Sequence, residues 1–184
     1  MKLLPTELEG VVVVEPRVFE DPRGFFMETY HKQHFADQGL VAEFVQDNHS
    51  RSVRGTLRGL HYQIQHPQGK LVRVVSGEIF DVAVDLRRNS PTFGRWTGAT
   101  LSDQNRRQMY VPPGFAHGFC VLTEIAEIVY KCTDFYYPEH DRTLLWNDPA
   151  VGIRWPQDGA PILSTKDEKG RPLAECDVYD KDLL

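Results

Sequence analysis

Residues 54–81 read RGTLRGLHYQIQHPQGKLVRVVSGEIFD, and the second half of this stretch carries the strongest strand signal in the chain. Lys70 to Val75 is a strand-like run, Ser76-Gly77 supplies turn chemistry, and Glu78 to Leu86 resumes with Phe80, Val82, Val84 and Leu86 in strict alternation. The pattern predicts a β-hairpin whose second strand has one apolar face. Asp81 and Asp85 fall on the opposite face, which directs charge toward a solvent-filled or ligand-filled space rather than a packed core. With His61, Arg58 and Lys70 just upstream, the stretch reads as the wall of a pocket.

Outward from this stretch the segments are short. Val11 to Val14 is a buried-strand run ended by Pro16, and Val18-Phe19 leads into a turn at Asp21-Pro22. Arg23-Gly24 opens an aromatic-rich strand from Phe25 to Tyr30. Lys32 to Gln38 turns helical around Phe35 and stops at Gly39. Phe44 and Val45 restart a strand that runs into Gln46, Asp47 and Asn48. Further strands are expected at Arg95 to Leu101, Gln108 to Val111, Phe119 to Leu122 and Ala126 to Cys132, with Gly, Pro and Asn/Asp turns between them. That spacing, without a long amphipathic helix, belongs to an all-β sandwich or barrel. Beyond Pro138 the chain is irregular, with Trp146, Pro149, Trp155, Pro156 and Pro161 suggesting an extended wrap, and Ser164 followed by Asp167 caps a short helix. One domain over residues 1–184 is expected, with a core at about 11–137 and a C-terminal wrap at about 138–184.

Lys and Arg total 21 against 26 Asp and Glu, a net charge of −5 that argues against a nucleic-acid partner but allows a locally basic pocket. The basic run RSVRGTLR at 51–58 is either a solvated edge or one wall of such a pocket. An odd count of 3 cysteines without a CxxC pair fits a reduced, cytoplasmic chain. The first residues, MKLLPTELEG, lack an apolar signal region, and no apolar run approaches the ~20 residues of a membrane span. No glycine-rich phosphate loop and no nucleophile elbow is present. Among 7 histidines, His61 is followed by Gln63 rather than a second ligand, His117 has no carboxylate nearby in sequence, and His31 and His34 lack a third ligand. Structural zinc takes four such groups and catalytic zinc three, so no functional metal is expected.

PPGFAHGF at 112–119 resembles the second signature of the cupin superfamily, whereas LRGLHYQ supplies His61 alone where the first signature normally brings two histidines and a glutamate. More narrowly, DPRGFF, FVQDNHSRS, LRGLHYQ, QGKLVRVVSGEIFDVAVDLR, SPTFG, PPGFAHGF, YKCTDFYYPEHDR and WNDP, in that order, resemble the dTDP-4-dehydrorhamnose 3,5-epimerases. The matches run from about residue 20 to 167. The resemblance implies a cupin-type jelly-roll sandwich with short peripheral helices, a homodimer with exchanged strands, and no cofactor. It also implies cofactor-free epimerisation at C3 and C5 of a dTDP-4-keto-6-deoxyhexose, in dTDP-L-rhamnose synthesis.

That chemistry needs a base, a cation for the enolate oxygen, and an acid on the opposite face of the sugar. By resemblance His61 is the base, Asp167 orients it, Lys70 neutralises the enolate and Tyr130 returns the proton. Asp167 could instead serve only the Ser164 cap, and Asp81 is a second candidate for polarising the site. Arg23 and Arg58 are candidates for the diphosphate, and Lys166 and His117 add charge or donors. Glu28, Gln46, Asp47, Asn48 and Asp141 match contact positions of the family, and Phe26 and Tyr136 offer stacking faces for thymine. Arg23, Phe26 and Glu28 lie on an early strand of the kind exchanged across the dimer. Three rivals stay open: an epimerase of one centre only, a metal-dependent cupin, and a non-catalytic sugar-nucleotide-binding module.

Overall fold

A computed structural model of the chain describes residues 1–180. In chain order the elements are β1 (Lys2–Pro5), β2 (Val12–Glu15), β3 (Val18–Asp21), β4 (Gly24–Met27), α1 (Lys32–Ala36), β5 (Gln46–Val53), β6 (Leu57–Gln63), β7 (Lys70–Ser76) and β8 (Glu78–Asp85). There follow β9 (Trp96–Ser102), β10 (Gln108–Val111), β11 (Phe115–Val121), β12 (Ile125–Cys132), β13 (Asp141–Thr143) and α2 (Thr165–Glu168). A six-stranded sheet runs β1-β2-β10-β7-β12-β5 and a five-stranded sheet runs β13-β6-β11-β8-β9, while β3 and β4 form a separate ribbon. From β5 to β13 the chain crosses between two packed antiparallel sheets at every connection except β8–β9, the jelly-roll arrangement expected for this chain.

The expected hairpin is not formed. β7 pairs with β10 and β12 in one sheet, and β8 pairs with β9 and β11 in the other. Gly77, with φ of +80°, carries the chain from sheet to sheet, and a side chain there would collide with the Ile125 carbonyl at 2.2 Å. Alternation marks which face of a strand is buried, but it does not name the partner strand. Lys70 and Asp81 therefore stand on opposite walls of the sandwich rather than on neighbouring strands.

Both faces of β8 are covered. Ile79 and Ala83 join Val72, Val74, Met109 and Ile128 in the core between the sheets. Val82, Val84 and Leu86, the alternating apolar set, point outward and are sealed by Val151, Ile153, Trp155, Leu173 and Tyr179 of the C-terminal wrap. The wrap is what lets the charged side of β8 be the inner one. Asp85 on that side does not face a ligand: it is fully buried and accepts hydrogen bonds from Arg87 Nε at 2.9 Å, Ser90 Oγ at 2.6 Å and Thr92 Oγ1 at 2.7 Å.

Several boundaries differ from expectation. β1 was not signalled by KLLP but pairs along its whole length with β2. The basic run at 51–58 ends β5 and begins β6, and β11 starts at Phe115, ahead of Phe119. The strand expected from Phe25 to Tyr30 ends at Met27. α1 buries Phe35 against Val14, Leu71 and Tyr110 on the outer face of the six-stranded sheet. Among the described residues no helix is long and apolar enough to cross a membrane.

Candidate active site

The site forms where the open ends of the two sheets face each other. On β6 the alternation that buries Leu60 and Tyr62 on the wrap side turns His61 inward. His117 of β11 is the direct cross-strand partner of His61, so both rings stand on one face of the five-stranded sheet. Lys70 opens β7 on the opposite sheet, and Tyr130 of β12 lies between Asn48 of β5 and Val72 of β7. A cavity of about 370 Å³ is lined by Gln46, Asn48, Arg58, His61, Lys70, His117, Tyr130, Tyr136, Asp141 and Lys166.

His61 Nε2 lies 2.6 Å from Asp167 Oδ1. A carboxylate only accepts, so the proton sits on Nε2 and Nδ1 is left with its lone pair as a base. Burial lowers the His61 pKa from the ordinary histidine value, and the nearby Lys166 and Lys70 charges push the same way against the pull of Asp167. Asp167 is held by α2: it closes a capping box with Ser164 and also accepts from the Gly59 amide at 3.2 Å. Burial opposes its ionisation, but hydrogen bonds from His61, Ser164 and Gly59 prevail and hold its pKa at about 2. The cap and the orienting carboxylate are thus the same group.

Lys70 is 9% exposed, and among the described residues its Nζ donates to the His61 carbonyl alone, at 3.4 Å. Burial lowers its pKa from the ordinary lysine value. Burial raises that of Tyr130, so the phenol keeps its proton through neutral pH. At the mouth, Asp141 accepts from Tyr136 Oη at 3.0 Å and pairs with Lys166. Arg58 is held by Ser52 Oγ, and Gln46 anchors the Tyr136 amide.

Other expected residues lie elsewhere. Asp47 alternates with Gln46 and Asn48, so it leaves the cavity and pairs with Lys131 on the outer sheet face at 3.0 Å. Asp81 sits behind His117 with no exposed surface, its Oδ1 2.7 Å from His117 Nε2. This corrects the reading of His117 as lacking a carboxylate: Asp81, 36 residues away, is brought beside it by the β8–β11 pairing. Within this chain Arg23, Phe26 and Glu28 are remote from the cavity; Arg23 pairs with Asp21, Phe26 is 70% exposed, and Glu28 bonds His34 at 2.7 Å. Glu28 is also the third potential ligand that His31 and His34 lacked in sequence; the three groups are exposed, and the two histidine rings are stacked 3.8 Å apart. Gln63 was missed, although LRGLHYQ sets it on the same face as His61: it accepts from the Tyr137 amide and donates to the Phe135 carbonyl, fixing the segment that carries Tyr136.

The family model described as dTDP-4-dehydrorhamnose 3,5-epimerase matches residues 5–175. The chain is 57% identical over 180 residues to the dTDP-4-dehydrorhamnose 3,5-epimerase of Pseudomonas aeruginosa, covering 97% of this chain and 99% of that protein. The chain belongs to this family. The Neisseria gonorrhoeae epimerase is 58% identical over 177 residues, 96% of this chain, and the chain spans 54% of that protein's length. A crystal structure of the 3,5-epimerase from Legionella pneumophila in complex with dTDP-4-keto-L-rhamnose superposes with a TM-score of 0.95 at 45% identity, covering 98% of both chains. The fold of the dTDP-4-dehydrorhamnose 3,5-epimerases is therefore the fold of this chain.

Proposed function

We propose that this chain is an isomerase that inverts C3 and C5 of dTDP-4-dehydro-6-deoxy-D-glucose, giving dTDP-4-dehydro-L-rhamnose. The observation that carries this reading is the convergence of the His61–Asp167 pair, Lys70 and Tyr130 on one cavity, in a chain 57% identical over nearly its whole length to a 3,5-epimerase.

His61 Nδ1 takes the proton from a carbon beside the ketone. The C–H electron pair moves into the enolate, whose oxygen is stabilised by the buried Lys70 ammonium. A proton then returns to the other face of the same carbon from Tyr130, a phenol being acid enough for a carbanion. The base gives its proton to water and the phenolate takes one back, so atoms and charge balance and no electrons are exchanged with a cofactor. Arg58 and Lys166 suit the diphosphate, and Tyr136, half exposed at the mouth, suits the thymine face. His117 with Gln46, Asn48 and Asp141 completes the polar lining.

A homodimer belongs to this reading. The β3–β4 ribbon carries Phe19, Phe25 and Phe26 in the open, with Arg23 between them, which supports its docking at a second copy's site. The three free cysteines support a reducing, cytoplasmic setting.

The test is NMR of the dTDP-4-keto-6-deoxyglucose substrate in deuterium oxide with metal-stripped protein. Deuterium at both C3 and C5 is expected. Deuterium at one position only assigns a single-centre epimerase, and binding of dTDP without exchange assigns a binding module. Activity that needs a stoichiometric metal would return the protein to the metal-dependent cupins.

A further inference from the structure

The cavity holds two histidine–carboxylate pairs in a row across three neighbouring strands and a helix: Asp167 of α2, His61 of β6, His117 of β11 and Asp81 of β8. Their geometry at the ring is alike, with Nε2 2.6 Å from Asp167 in one and 2.7 Å from Asp81 in the other. Behind the ring they differ. Asp167 spreads its charge over the Ser164 hydroxyl at 2.6 Å, the Ser164 amide at 3.3 Å and the Gly59 amide at 3.2 Å. Asp81 has none of these: it is fully buried and, among the described residues, its Oδ2 has no hydrogen-bond partner. A buried carboxylate without other donors must be balanced by the group it touches, and here that group is His117.

We infer that the two pairs are set in opposite senses: His61 is neutral and takes a proton, whereas Asp81 keeps His117 as an imidazolium that presents Nδ1–H to the cavity. Its site-level consequence rests on the epimerase reading. His117 then donates to an oxygen next to the carbon that His61 deprotonates, because the two rings are cross-strand neighbours on one face. His117 touches substrate in this role, and Asp81 is a positioning residue. The other groups facing His117 across the cavity are His61, Arg58, Lys70, Tyr130 and the Lys166–Asp141 pair. Arg58 and Lys70 oppose a further cation, but Arg58 is held by Ser52 and Lys70 by the His61 carbonyl, while Asp81 is in direct contact with His117 in a buried space, where the nearest charge dominates.

The test is a proton–nitrogen multiple-bond spectrum of the histidine side chains in the unliganded wild-type protein between about pH 6 and 9. At neutral pH both His117 nitrogens should be protonated while His61 shows an unprotonated Nδ1; an unprotonated nitrogen on His117 overturns the inference. Asp81→Asn should neutralise His117 and lower kcat/KM by roughly 10- to 100-fold at neutral pH, a loss that narrows as pH falls and His117 is protonated again, with Asp81→Glu restoring most of it. Kinetics of Asp81→Asn within twofold of wild type, with the pH profile unmoved, also overturn it. Should that variant not fold, the wild-type spectrum decides. The spectra need no substrate, so an imidazolium His117 in a protein that exchanges no ketosugar proton upholds the pair and overturns the epimerase reading instead.

Discussion

Lys70 keeps an ammonium in a nearly closed space, without an ion pair among the described residues, and folding gains nothing from that. A methionine of similar length would remove the charge and keep the packing, so Lys70→Met is expected to leave urea stability unchanged or raise it by about 1 kcal/mol. The same change should lower kcat by roughly 10²- to 10³-fold, since a preorganised charge at the developing enolate is lost. It should also move the acid limb of the pH–rate profile upward: Lys70 repels a proton on His61, so without it the base is protonated at higher pH. A variant that loses stability but keeps activity would make Lys70 a structural residue.

At the scale of elements, the spacing of the two histidines depends on two glycines. A side chain on Gly118 would stand 2.6 Å from the Arg58 carbonyl, and one on Gly59 2.6 Å from the Gly118 Cα. β6 and β11 therefore touch backbone to backbone, at a register shift between His117 and Phe119. Gly118→Ala must part the strands, with an expected cost of about 2 kcal/mol and a fall in kcat larger than any change in KM for the nucleotide. Thermal melts and steady-state kinetics check both; a variant with wild-type kcat would mean that this close approach does not set the site.

The whole molecule ties the C-terminal wrap to the cavity through Tyr179. Its ring is buried against Tyr62, with centroids 6.1 Å apart, and its hydroxyl donates to the carbonyl of Gln63, whose side chain anchors the segment bearing Tyr136. Tyr179→Ala should cost about 3 kcal/mol in urea unfolding and raise KM for the nucleotide sugar more than it lowers kcat. Unchanged KM would separate the wrap from the site. From residues alone, alternation and turn chemistry established an all-β chain, the short helix at Phe35, the Ser164–Asp167 cap and the irregular wrap. Ordered motifs pointed to the family and to His61, Lys70, Tyr130 and Asp167, groups that do meet in one cavity or against its base. Strand partnership was decided only by the tertiary fold. Periodicity of two tells a strand which face to bury but carries no information about its neighbour, so β7 and β8 looked like a hairpin and are opposite walls. For the same reason Asp47 turned outward to Lys131, and Asp81 came to rest behind His117, to which its Oδ1 is bonded.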